Sequence, residues 1–351
     1  MNEYSTILAK ITTAFDNKTP FAVYKKPNID IVNVIIQETD ALYESSDWTE
    51  SGFVFAPFDS AKKSVLIKGG QRLSAKLPRL ISQKVFNKTT YNERIEDQNN
   101  HVLLVEKTKA FIATSKTSKV VIARSKKIEI ENFNPIACFD RMIANYQRAS
   151  CFLFYHPKIG VWLGATPEVL ISLNNNRYST MSLAGTKKYE GDKNINWEAK
   201  ELYEQQVVTD FITQGLKKLS STIECSPRFT SKAGNLLHLR TDITGQLKKQ
   251  VNLKQLIEHL HPTPAVCGFP SAEAKKFILE NENFEREFYS GFWGVINQEN
   301  KSELYVNLRC MKYDENNTVS VYVGGGITAE SVALSEWKET VLKSAIIESI
   351  L

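Results

Sequence analysis

Between residues 119 and 183 the chain is cut into short β-branched and aromatic runs, each too brief for a helix and each closed by turn residues. KVVIAR at 119–124, Cys151–Tyr155, Val161–Gly164, Val169–Leu173 and Tyr178–Leu183 read as strands. Lys158–Gly160, Asn174–Arg177 and Ala184-Gly185-Thr186 punctuate them as turns. Helical spacing falls between such groups. Asn134–Ala149 reads as one helix, and Trp197–Leu219, with apolar residues at 207, 208, 211, 212, 216 and 219, as another. Leu304–Met311 and Val319–Val323 flank Asp314–Asn317 as a hairpin, Gly324–Gly326 breaks the sheet, and Leu334–Leu351 is a closing helix. Strands in consecutive pairs with helices between them define an α+β fold, with large, mainly antiparallel twisted sheets and helices packed outside.

The chain has 351 residues, enough for one large domain or two and for a full core without metal or disulfide staples. Its composition, 42% hydrophobic and 24% charged, excludes a disordered or fibrous chain. Ile31–Ile36 and Val65–Ile67 read as strands, Gly69-Gly70 and Asp97–Asn100 as turns. Without a motif of their own, residues 1–100 are expected to complete the sheets of the same fold, with the catalytic region at 101–351. No apolar run approaches a membrane span, and the first residues lack a signal peptide's basic and apolar segments. Five cysteines without a CxxC pair read as reduced thiols. These features imply a cytoplasmic protein with no membrane partner. The net charge of +5 comes from scattered residues rather than a basic face, so no nucleic-acid partner is expected. A modest positive balance suits a small anionic substrate.

On the closing helix Glu336, Glu339 and Lys343 share one face, in line with Ile346 and Ile350. They are either an inward polar cluster or a solvated end with an ordinary Glu339–Lys343 pair. Glu204 lies four residues before Val208 and seven before Phe211. If buried there, it must be paired or metal-bound. Two carboxylates from two helices suit Mg²⁺, which takes few protein oxygens. Lys119, facing the same side as Val121 and Ala123, is a candidate base or an edge-strand lysine that blocks aggregation. Glu168, after Gly164-Ala165-Thr166-Pro167, is a candidate acid or a wet turn residue. The glycine turns at Gly185-Thr186 and Gly324–Gly326 are anion cradles or plain turns. Arg309, inside YVNLRC, binds an anion or forms a structural ion pair.

The order of these weak signals is itself specific. KVVIAR at 119–124, GATPE at 164–168, LAGT at 183–186, KELYE at 200–204, HPTPAVCGFP at 261–270, REFYSG at 286–291, LRC at 308–310, GGGIT at 324–328 and EWKETVLK at 336–343 resemble the chorismate-utilising enzymes, most closely the isochorismate synthases. The resemblance runs from about Ser118 to the C-terminus. It implies a chorismate-binding, anthranilate synthase-like fold and chorismate as the small-molecule substrate. It further implies Lys119 as the base that activates water for attack on C2, and Glu168 as the acid that protonates the departing C4 hydroxyl. Glu204 and Glu339 match magnesium-binding glutamates, with Glu336 an acidic neighbour. Gly185, Thr186, Arg309, Gly324 and Lys343 match positions that line the substrate and hold its carboxylates. His238 matches a histidine near the ring, and Ala265, Val266 and Tyr289 match the pocket wall.

This assignment requires Lys119 as a neutral amine and Glu168 as a neutral acid. Aminodeoxychorismate synthases carry a lysine where Ala184 stands, so no covalent adduct is expected, and anthranilate synthases lack a Lys119-type base. Water remains as nucleophile, giving isochorismate for menaquinone or a siderophore, or salicylate if pyruvate is then eliminated. A catalytically inactive binding protein of this fold would carry lesions at Lys119, Glu168, Glu204 or Glu339; all four are intact. The pattern departs from relatives at Gln205 and Gln206, where a histidine is common in the first position, and at Val266 and Tyr289, where some isochorismate synthases have leucine and phenylalanine. A monomer or weak homo-oligomer is expected.

Overall fold

The computed structural model describes residues 3–78, 91–234, 236–314 and 316–351. The chain opens with α1 (Glu3–Asp16), β1 (Phe21–Lys25), β2 (Ile31–Ile36), β3 (Tyr43–Ser45), β4 (Gly52–Ala56), β5 (Ser64–Ile67) and β6 (Gln71–Lys76). There follow α2 (Ile95–Thr114), β7 (Lys119–Glu129), α3 (Pro135–Asn145), β8 (Ser150–His156), β9 (Gly160–Thr166), β10 (Val169–Asn174), β11 (Arg177–Lys188) and α4 (Ala199–Lys217). The remainder is β12 (Ser220–Cys225), β13 (Phe229–Ala233), β14 (Leu236–Leu247), α5 (Leu253–Leu260), β15 (Gly268–Phe269), α6 (Ser271–Asn281), β16 (Phe292–Gln298), β17 (Lys301–Val306), β18 (Cys310–Asp314), β19 (Thr318–Ile327) and α7 (Ala333–Glu348).

Among the described residues the strands form two antiparallel sheets. Sheet A runs β15-β7-β19-β18-β9-β8-β1-β2-β6, and sheet B runs β12-β14-β11-β10-β17-β16-β4-β5-β3. The two pack face to face, and the alternation of side chains shows how. In β8, Phe152 and Phe154 join the aromatic core between the sheets, while Cys151, Leu153 and Tyr155 join the core beneath α1 and α3. In β16, Trp293 and Val295 point between the sheets, while Phe292 and Ile296 pack towards α4 and α5. Helices therefore cover both outer faces, and central strands are apolar on both sides, as in β8, where every residue is buried. The inner core is a run of rings, from Phe55 on Phe288 (centroids 4.2 Å apart) to Trp162 on Tyr322 and Tyr322 on Tyr289.

Several expected boundaries move. Asp97–Asn100 is not a turn but the start of α2. Ala184-Gly185-Thr186 is a bulge within β11, where the register to β14 shifts and Gly185 takes φ +71°. Gly324–Gly326 does not break the sheet, because these residues pair with Ala123, Ile122 and Val121 as β19 continues to Ile327. Leu304–Met311 is two strands in different sheets, β17 in sheet B and β18 in sheet A. The chain crosses between them with Arg309 at φ +49°. The predicted hairpin is β18–β19. Helix α3 starts where expected, with Asn134 accepting the Ala137 N–H and Pro135 at the first helical position.

Candidate active site

A cavity of about 780 Å³, its open mouth included, lies between the sheets. Strand β7 of sheet A, with Lys119, is bordered by β15 on one side and β19 on the other. Lys119 is therefore no edge-guarding residue, and it is fully buried. Its Nζ lies 2.8 Å from Glu204 Oε1, a close ion pair off the hydrogen-bond line, and it has no hydrogen-bond acceptor among the described residues. Lys119 thus has a carboxylate beside it as well as apolar neighbours, because α4 delivers Glu204 to it. Burial pushes the Glu204 carboxyl up, but Lys119, Lys343 and Lys200 together outweigh that and hold it below the ordinary value.

Glu168 lines the cavity from the crossing between β9 and β10. Its N–H donates to Thr166 Oγ1 and its carbonyl accepts the Val306 N–H of β17, so its backbone is tied to both sheets. It is 4% exposed and makes no ion pair among the described residues. Burial pushes its carboxyl up to about 8, against the lowering pull of Lys119 and Arg309. A solvated turn residue would not behave so; burial favours the protonated acid.

Arg309 also makes no ion pair among the described residues, so the structural-pair alternative falls away. Its Nη2 lies 2.9 Å from His238 Nε2, and His238 Nδ1 lies 2.8 Å from the Gly185 carbonyl. A guanidinium only donates and a carbonyl only accepts, so His238 carries its proton on Nδ1 and offers Nε2 to Arg309. Burial, then Arg309, lowers the His238 value to about 3, which keeps the ring neutral. Burial lowers Arg309 to about 10, and it remains a cation. A buried guanidinium with no carboxylate of its own, held in a left-handed backbone conformation, is an anion-binding group.

The helices bring three carboxylates to the glycines of β19. A Cβ on Gly326 would lie 2.6 Å from Glu204 Oε1 and 2.8 Å from Lys119 Cε. A Cβ on Gly325 would lie 3.5 Å from Glu336 Oε2 and 3.8 Å from Glu339 Oε1. Each carboxylate has a lysine: Glu204 has Lys119, Glu336 has Lys200 at 2.5 Å, and Glu339 has Lys343 at 2.7 Å. The Glu339–Lys343 pair thus forms as spacing allows, but it lines the cavity rather than facing solvent. Lys343 also donates to the Gly324 carbonyl at 2.9 Å. Glu336 keeps to the shared face beside Glu339, but it is more deeply buried and pairs with Lys200. Among the described residues no three His, Cys, Asp or Glu side chains close into a ready-made metal-ligand set. Two cavity-facing carboxylates over side-chain-free glycines still fit a hard cation that keeps most of its waters.

Gly185, Thr186, Ala265, Val266, Tyr289 and Gly324 all reach the cavity wall, while Lys119 and Glu336 stand just behind it. The wall also includes residues that sequence reasoning did not single out. Ser290 and Gly326 lay inside quoted motifs and were within reach of it. Leu308 likewise lay inside the quoted LRC motif, while Tyr322 carried no signal, because only the packing of the two sheets brings it there. Gln205 is buried behind the wall, its amide donating to the hydroxyls of Ser182, Thr209 and Thr241.

A buried acid, a buried lysine, a guanidinium without an ion pair among the described residues and two helix carboxylates thus gather at one cavity. The family of chorismate binding enzymes matches residues 59–351, and the chain belongs to that family. The match begins well before the first motif that carried the resemblance. The isochorismate synthase EntC of Escherichia coli is 33% identical over 264 residues, covering 72% of this chain and 66% of that protein, just under two thirds of its length. The solved structure of DhbC from Bacillus anthracis superposes with a TM-score of 0.83 at 21% identity, over 98% of this chain and 99% of that one. Anthranilate synthase component I from Streptococcus pneumoniae gives 0.70 at 16% identity, over 93% and 89%. At these identities the two structures establish a common fold.

Proposed function

We propose that this chain is an isochorismate synthase, an isomerase that adds water at C2 of chorismate and expels the C4 hydroxyl. The observation that supports this reading is a buried acid and a buried lysine at one cavity, Glu168 in its lining and Lys119 against Gly326 of its wall. Glu168, its carboxyl pushed up to about 8 by burial, enters from the crossing between β9 and β10, while Lys119 enters from β7 of sheet A. The name of EntC supports the same activity. The fold alone does not select the nucleophile, since an anthranilate synthase component shares it.

In this reading Glu168 gives its proton to the departing C4 oxygen, and Lys119 takes one from the attacking water, so that protons balance over the cycle. Each positioned transfer contributes typically ~10²–10⁴-fold. Arg309, oriented by neutral His238, binds one carboxylate of the substrate. Glu204 and Glu339 would hold Mg²⁺, with Glu336 beside them; bound there, it would anchor the other carboxylate and relieve the lysines of their carboxylate partners. Ala184 in the wall leaves no amine for a covalent adduct. The pathway served would be menaquinone or siderophore synthesis, and the protein is proposed to act in the cytoplasm as a monomer or weak homo-oligomer.

Purified protein incubated with chorismate, with and without Mg²⁺, tests this directly. Isochorismate formed only with the cation is the expected result. Pyruvate and salicylate appearing together would favour a salicylate synthase, for which Tyr289 in the wall is the relevant residue. No conversion near neutral pH would sink the reading and leave a binding protein of this fold.

A further inference from the structure

Strand β15 covers β7 only at Lys119 and Val120. Beyond that point two outward backbone groups of β7, the Val121 carbonyl and the Ala123 N–H, lack a neighbouring strand. A side-chain ion pair takes its place. Glu282 Oε1 accepts the Ala123 N–H at 2.8 Å, and Arg286 Nη2 donates to the Val121 carbonyl at 2.7 Å. The two side chains are joined twice, Arg286 Nε to Glu282 Oε2 at 2.8 Å and Nη2 to Oε1 at 2.5 Å. Both are 3% exposed. The same guanidinium reaches two more cavity-lining residues through Nη1, the Val266 carbonyl at 3.0 Å and Ser290 Oγ at 3.4 Å. Its outer face rests on the ring of Phe58, 4.4 Å from the centroid.

One buried cation therefore fixes three separate parts of the cavity wall, and it grips β7 two residues from Lys119. We propose that Glu282 and Arg286 are a positioning pair, which stands in for the missing strand and sets the depth of Lys119 against Glu168. The inference rests on the isochorismate synthase reading. Neither residue lines the cavity. Of the residues expected to hold or line the substrate, their side chains bond only the Val266 carbonyl, and not Arg309, Lys343 or the glycines. A shift of β7 should thus slow the chemical step and leave binding nearly intact.

The test compares wild type with Arg286→Lys and Glu282→Gln. Lysine keeps the charge but cannot span two carbonyls and a carboxylate. Glutamine keeps an oxygen for Ala123 and loses the pull on the guanidinium. A misplacement of about 1 Å costs on the order of 10²-fold in rate, so kcat in the folded variants should fall by roughly 10- to 100-fold, with KM within about threefold. Unchanged kcat in either folded variant, or a change confined to KM, would overturn the positioning role. Failure of both conservative variants to fold would also overturn it, in favour of a purely structural pair. A wild type that does not convert chorismate would instead defeat the underlying reading, so the two failures are separable.

Discussion

Glu168 combines a catalytic opportunity with a cost to stability. Its folded-state value near 8 lies above the ordinary 4.5, so the folded chain holds a proton that the unfolded chain releases. Stability from this group is fully present below about pH 4.5 and is lost as pH rises through about 8. Glu168→Gln removes that dependence. It should flatten the fall of Tm between pH 5 and 8 and raise Tm at the upper end, while kcat drops by ~10²–10⁴-fold. Thermal scans across pH check the first part, and a variant less stable than wild type at pH 8 would contradict a partnerless buried carboxyl. In wild type the same titration predicts a kcat that declines above about pH 8. Lys119→Ala should lose turnover by ~10²–10⁴-fold while chorismate still binds, as equilibrium titration would show; unchanged turnover would refute its role as base. The lysine was visible in sequence as a cation among apolar residues. Its carboxylate partner was not, since Glu204 is distant in the chain and only the packing of α4 beside β7 unites them.

At the level of elements, α4 and α7 converge because each packs on a different sheet. Helix α4 packs with β11 and β14 in the core outside sheet B, while α7 packs against β19 of sheet A. Strand β7 pins α7 at two places. Arg124 Nε donates to Thr340 Oγ1 at 2.8 Å with its guanidinium over the Trp337 ring, and Lys126 pairs with Glu348 at 2.9 Å. The helix that offers Glu339 is thereby held to the strand that offers Lys119. Glu204→Gln and Glu339→Gln should each weaken Mg²⁺ binding, read by calorimetric titration without substrate, and titrations that overlay wild type would count against both as ligands. Helical period placed Glu336, Glu339 and Lys343 on one side of α7. It could not give Glu336 its cation, because that depends on where Lys200 of α4 ends up.

Across the molecule, the early strands are neighbours of the late ones. β1 pairs with β8, and β4 pairs with β16, so the first residues lie inside both sheets rather than beside them. Removing residues 1–58 would strip partners from β8 and β16 and open apolar edges. We expect the shortened chain to aggregate, which size-exclusion chromatography would detect. A soluble, chorismate-binding fragment would instead show that residues 1–58 are dispensable to the folding unit. Among the described residues no helix is long and apolar enough to cross a membrane.

The sequence by itself determined what local rules govern. Short β-branched runs and glycine punctuation specify antiparallel strands, helical spacing specifies the helices, and the ordered motifs name the residues of the site. These depend on near neighbours in the chain, so their signal survives without coordinates. Tertiary structure alone decided which charges meet, since burial and pairing are properties of distant segments brought together. It turned a presumed sheet breaker into a continuous glycine strand under three carboxylates, moved Arg309 from a strand to the passage between sheets, and raised the Glu168 carboxyl because burial outweighs the pull of Lys119 and Arg309.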